Sequence, residues 1–101
     1  MSSAAWVLDP ERAHITALRR LADFTDRRVL ELGCGDGRLT TEIARDAAYV
    51  HAFDTDAEAV ERGRRTLPPE LAERVMFEVA SGNEIDVPRN AFDIVVFSWS
   101  L

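Results

Sequence analysis

The chain has 101 residues, 47% of them apolar and 30% charged, which fits one globular domain over 1–101 with a modest core. A net charge of −6 argues against nucleic acid as a partner and against docking on anionic membranes. No apolar run is long enough for a membrane span, the first residues do not read as a secretory signal, and one cysteine, Cys34, fits a reducing, cytoplasmic setting.

Residues 1–8 read as a loose arm. Asp9-Pro10-Glu11 is a helix-start signal, with a capping Asp and Pro at the first helical position. Ile15, Leu18, Leu21 and Ala22 then recur at helical spacing, so a helix is expected over about 10–23. His14 on that helix reads as a packing or surface residue. After a polar turn at 26–28, the apolar run 29–32 suits a strand buried on both faces.

Next comes Gly33-Cys34-Gly35-Asp36-Gly37, three glycines at alternate positions, followed by a helical pattern over 38–47 with Leu39, Ile43, Ala44 and Ala47 inward. Strand, glycine-rich turn and helix start together form a cradle for a nucleoside-like ligand, because backbone N–H groups can converge there. The following strand, 49–53, leads to Asp54, which lies 17 residues beyond Gly37. A ribose-binding carboxylate stands at roughly that distance, about 20 residues on, in dinucleotide folds. His51 in this strand reads as structural.

Asp56 caps the next helix and Glu58 suits its first turn; Val60, Gly63 and Leu67 mark one face, and Pro68-Pro69 stops it. A single helical turn is expected at 70–73, a strand at 75–79 with Met76 and Phe77 as core, a loop at 81–91 and a fourth strand at 92–98. Strands alternating with helices predict βαβ units and a parallel sheet.

The glycine spacing separates two nucleoside binders. A dinucleotide fingerprint needs G-x-G-x-x-G, and Arg38 stands where its third glycine would be. The pattern present is E-x-G-x-G-x-G, led by Glu31. With Asp54 behind it, this resembles motif I of the class I S-adenosylmethionine-dependent methyltransferases. Ala52-Phe53-Asp54-Thr55-Asp56 resembles the second motif, Phe77–Glu84 the adenine-binding stretch, and Phe92–Ser98 the fourth strand, in family order over roughly residues 9–101.

The resemblance implies a Rossmann-like α/β three-layer sandwich with strand order 3-2-1-4, S-adenosylmethionine as cofactor, and methyl transfer to a small-molecule acceptor. It implies a cofactor site made of Glu31, Gly33, Cys34, Gly35, Gly37, Asp54, Thr55, Ser81, Gly82 and Ser98. Glu31 would contact the methionine ammonium directly or through water, and Asp54 would accept from both ribose hydroxyls. Ser81 stands where many members carry an Asp for the adenine amino group. Trp99 would line the acceptor site or belong to the core.

No metal is expected and no catalytic residue is identified; the lack of an obvious triad or metal cluster does not count against methyl transfer, because a sulfonium is already activated and positioning carries most of the rate. Residues 97–101 lack the Asp/Asn-Pro-Pro-Tyr signature of nucleobase amino methyltransferases, which points to a small acceptor such as a quinone or lipid. A full fold of this class has seven strands, and this chain ends after the fourth. Three explanations follow: a cofactor-binding half of a longer protein, an edge-to-edge dimer through an exposed fourth strand, or a second chain supplying the remainder. A non-catalytic cofactor-binding module acting through a partner is the alternative function.

Overall fold

A computed structural model describes residues 4–7, 23–81, 84–85 and 91–97. Five parallel strands form one sheet: β1 (Ala4–Val7), β2 (Arg28–Leu32), β3 (Tyr49–Asp54), β4 (Val75–Val79) and β5 (Ile94–Phe97), in the order β1-β5-β2-β3-β4. Without β1 this is the expected 3-2-1-4 order. Helix α1 (Arg38–Ala44) joins β2 to β3, and α2 (Ala57–Thr66) joins β3 to β4. The predicted helix over 10–23, His14 and Trp99 lie outside the described residues.

One face of the sheet holds the main core. Val29 and Glu31 of β2 stand beside Val50 and Ala52 of β3, and beside Ile94 and Val96 of β5 in register. Ile43 and Ala44 of α1 and Val60 of α2 pack into the same cluster, which Phe24, Ala47, Leu71 and Phe77 extend. Val29, Val50 and Val96 of the strands are fully buried, as are Ile43 and Val60 on the helix faces that cover them. Asp56 caps α2 as its spacing predicts, accepting from the N–H groups of Glu58 (3.0 Å) and Ala59 (3.1 Å). Leu67 leaves the helix extended ahead of Pro68, and a single 3-10 turn, Pro69–Leu71, leads into β4.

Three expectations are corrected. Residues 4–7 are no loose arm: they pair with β5 from Ala4↔Ile94 to Val7↔Phe97. The fourth predicted strand, β5, is therefore an interior strand and not an exposed pairing edge. The physical reason is that an apolar strand with unpaired N–H and C=O groups is satisfied by any available parallel segment, and Ala4-Ala5-Trp6-Val7 provides one. Met76 is also not core. It is 49% exposed, because β4 is the outer strand and Met76 lies on the face opposite Phe77 and Val75, which pack on the core.

His51 sits on the opposite face of β3. Its ring stacks on Phe53 with centroids 4.2 Å apart, and Nε2 lies 3.2 Å from Glu78 Oε1. That placement is structural, as the sequence suggests. Arg28, at the start of β2, ties to Asp93 just before β5: the Arg28 N–H donates to Oδ2 at 3.0 Å, and its guanidinium reaches both carboxylate oxygens.

Candidate functional site

The carboxyl ends of β2 and β3 converge on the glycine turn. The Gly33 and Cys34 N–H groups both donate to the Phe53 carbonyl, at 2.8 and 3.0 Å, and the Gly37 N–H donates to the Cys34 carbonyl at 3.1 Å. All three alternate glycines take positive φ: 83° at Gly33, 57° at Gly35 and 83° at Gly37. That conformation is costly for a residue with a Cβ.

Two of these glycines are needed for different reasons. A Cβ on Gly35 would meet no heavy atom within 4 Å, so the turn leaves open space beside it. A Cβ on Gly37 would stand 2.6 Å from Phe77 Cζ and 2.9 Å from Cε1. Gly37 thus lets the start of α1 settle on the Phe77 ring. Gly63 of α2 lies beside the same ring, where an added Cβ would be 3.2 Å from Cζ.

Asp54 ends β3 and holds the turn from the side. Its Oδ2 accepts from the Gly35 N–H and its Oδ1 from the Asp56 N–H, each at 2.8 Å. Each oxygen keeps a second lone pair for a ligand hydroxyl. The Ala80 N–H donates to the Asp54 carbonyl at 3.0 Å, which brings the chain after β4 alongside. There the Ser81 N–H donates to Glu84 Oε1 at 2.9 Å, and the Glu84 N–H donates to the Ser81 carbonyl at 3.0 Å. This closed turn lowers the Glu84 carboxyl below its ordinary value, chiefly through the Ser81 backbone bond.

Beneath the turn, Glu31 is completely buried at the end of β2, and its Oε1 accepts from the Thr40 hydroxyl on α1. Cys34 is buried as well. Loss of solvation is the first cause that pushes its thiol upward, followed by the Glu31 and Asp54 charges. A thiol held protonated in this way is no nucleophile.

Of the ten predicted cofactor residues, Glu31, Gly33, Cys34, Gly35, Gly37, Asp54 and Thr55 gather at or under this turn, with Ser81 next to it by way of Ala80. Thr55 is exposed. Gly82 and Ser98 lie outside the described residues. Thr40 escaped the sequence reasoning. The available signal was Glu31 itself, since a carboxylate in a buried strand needs a donor, and the next helix offers hydroxyls at Thr40 and Thr41.

Residues 29–101 match the family described as a methyltransferase domain. The magnesium-protoporphyrin O-methyltransferase of Rhodobacter capsulatus is 40% identical over 79 residues, covering 78% of this chain and 34% of that protein. The demethylmenaquinone methyltransferase of Clavibacter sepedonicus is 30% identical over 87 residues, covering 86% of this chain and 35% of that protein. Other similar proteins carry ribosomal RNA or RNA methyltransferase names. Among solved structures, an S-adenosylmethionine-dependent methyltransferase from Mesorhizobium loti superposes with a TM-score of 0.71 at 25% identity, over 81% of this chain and 37% of that one. The chain thus spans about a third of the length of these two relatives.

Proposed function

Because the chain belongs to the methyltransferase-domain family, we propose that it holds S-adenosylmethionine at the carboxyl ends of β2 and β3, as the cofactor-binding part of an enzyme that methylates a small molecule. The observation that carries this reading is the open space at Gly35, flanked by the Asp54 carboxylate at the end of β3. Any side chain at residue 35 would fill that space, and a carboxylate beside it suits a vicinal diol.

The cofactor supplies a methyl group already activated on a sulfonium, whose departure leaves a neutral thioether. The chain's task is to bind and orient. Asp54 accepts from the ribose hydroxyls with the lone pairs its two backbone bonds leave over. Glu31 supplies negative charge at the methionine end from beneath the turn, and its complete burial supports a mediated contact with the ammonium over a direct one. Ser81 accepts weakly from the adenine amino group, with Gly82 offering its N–H and Thr55 the ring edge. Ser98 flanks the methyl end. These last four roles rest on the family resemblance.

For the acceptor, the net charge of −6 disfavours a polyanion, and relatives named for protoporphyrin and menaquinone chemistry favour a small organic molecule.

Calorimetric titration of the chain with S-adenosylhomocysteine tests the cofactor reading. Saturable binding is expected, abolished by Gly35→Val and by Asp54→Ala. Unchanged affinity in either variant would remove the site assignment. Methylation of ribosomal RNA, with no transfer to quinone-type phenols, would overturn the small-molecule acceptor.

A further inference from the structure

Among the described residues, two polar side chains are completely buried, Glu31 and Thr40, both at 0% exposure, and they are bonded to each other. Glu31 precedes the glycine turn and Thr40 follows it. Their bond therefore closes the base of the turn, joining the end of β2 to the first turn of α1.

Packing does not explain this pair. An apolar pair of similar volume would fill the same space without the cost of desolvating a carboxylate, and such replacements are often neutral or stabilising. Two consequences do follow from the pair. The hydroxyl fixes one carboxylate oxygen, so the charge has a set position. That charge also reaches into the turn, where it is one of the causes that raise the Cys34 thiol. A fixed negative charge there favours a cationic group above the turn.

We propose that Thr40 is a positioning residue for the methionine end of the cofactor, acting through the Glu31 carboxylate that it holds at the end of β2. The inference rests on the cofactor reading above and adds a residue that the sequence motifs do not contain. Thr40 touches no ligand. Without its hydroxyl the carboxylate turns toward other donors, and its charge no longer lies under the ammonium.

Two ligands that differ only at the methionine end separate this role from general support of the fold. S-adenosylhomocysteine carries the amino-acid group, and 5′-methylthioadenosine keeps the adenosine and thioether without it. Thr40→Val is expected to weaken S-adenosylhomocysteine at least about tenfold, as for loss of a charge-assisted hydrogen bond, and to leave methylthioadenosine within about twofold of the wild type. Thr40→Ser, which keeps the hydroxyl, restores the first affinity. Equal weakening of both ligands, or of neither, would overturn the proposal.

Should Thr40→Val not fold, Glu31→Gln carries the same comparison. It leaves Thr40 an acceptor and removes the charge, so a variant that binds both ligands like the wild type overturns the proposal too. A wild-type chain that binds the two ligands equally well sinks this inference alone. One that binds neither sinks the cofactor reading, and this inference with it.

Discussion

Substituting alanine at Gly35 and at Gly37 separates ligand space from packing space within one turn. Both positions are left-handed, with φ of 57° and 83°, so each alanine pays backbone strain of about 1–2 kcal/mol. At Gly35 the added methyl meets nothing within 4 Å, and strain is the whole cost. At Gly37 the methyl would stand 2.6 Å from Phe77 Cζ. The ring has little room to swing clear, because it is buried and lies so near Gly63 that even a Cβ there would stand 3.2 Å from the same atom.

Overpacking of this kind adds about 1–3 kcal/mol, for a total of about 2–5 kcal/mol at Gly37. Urea unfolding reads the difference. With an m-value of about 1 kcal/mol/M for a chain of this size, the two midpoints should differ by roughly 1–3 M at equal m. Titration with S-adenosylhomocysteine reads the other half: Gly35→Ala loses affinity although it is the more stable variant. Adding Phe77→Leu to Gly37→Ala should recover part of the loss, since the clash and its partner are coupled. Equal midpoints for the two alanine variants, or full affinity in Gly35→Ala, would refute the assignment of the two glycines.

The buried Cys34 thiol, raised by desolvation and then by the Glu31 and Asp54 charges, should react with an aromatic disulfide at pH 8 at least about a hundredfold more slowly in the native chain than in urea. Fast native labelling would mean that the turn opens readily. Asp93 is held below its ordinary value, first by its side-chain bond from Arg28 and next by the Arg28 N–H. A carboxyl whose folded pKa is depressed contributes stability above its unfolded value near 3.9, and loses it as pH falls through the folded value. Asp93→Asn should therefore lower the urea midpoint at pH 6, with a gap to wild type that narrows below about pH 4; a gap constant with pH would contradict the pairing. Deleting residues 1–8 removes β1 and bares β5, so light scattering should show more self-association than in the full chain. A truncated chain that stays as monomeric as the full one would show that β1 does not protect that edge.

Local signals sufficed where the cause is local. Apolar runs bounded by polar turns located four strands, and three-to-four spacing with Asp56 and Pro68-Pro69 bounded α2. The turn was legible because three alternate glycines have few other uses. The features that stayed hidden are relations between distant residues. Pairing of Ala4–Val7 with β5 joins segments 90 residues apart, and a four-residue apolar stretch has no period to read. Met76 and Phe77 look alike in sequence, and only the face each takes on the outer strand β4 makes one exposed and the other core.

Thr40 is an ordinary helical threonine until Glu31 is placed beside it. The glycines make the same point from within the motif. Gly35 and Gly37 are the same residue in the same pattern, both at positive φ. One is required by what is absent around it and the other by Phe77, 40 positions along the chain. A motif can therefore show that a turn is special, while the reason for each of its residues comes from the tertiary neighbours that surround it.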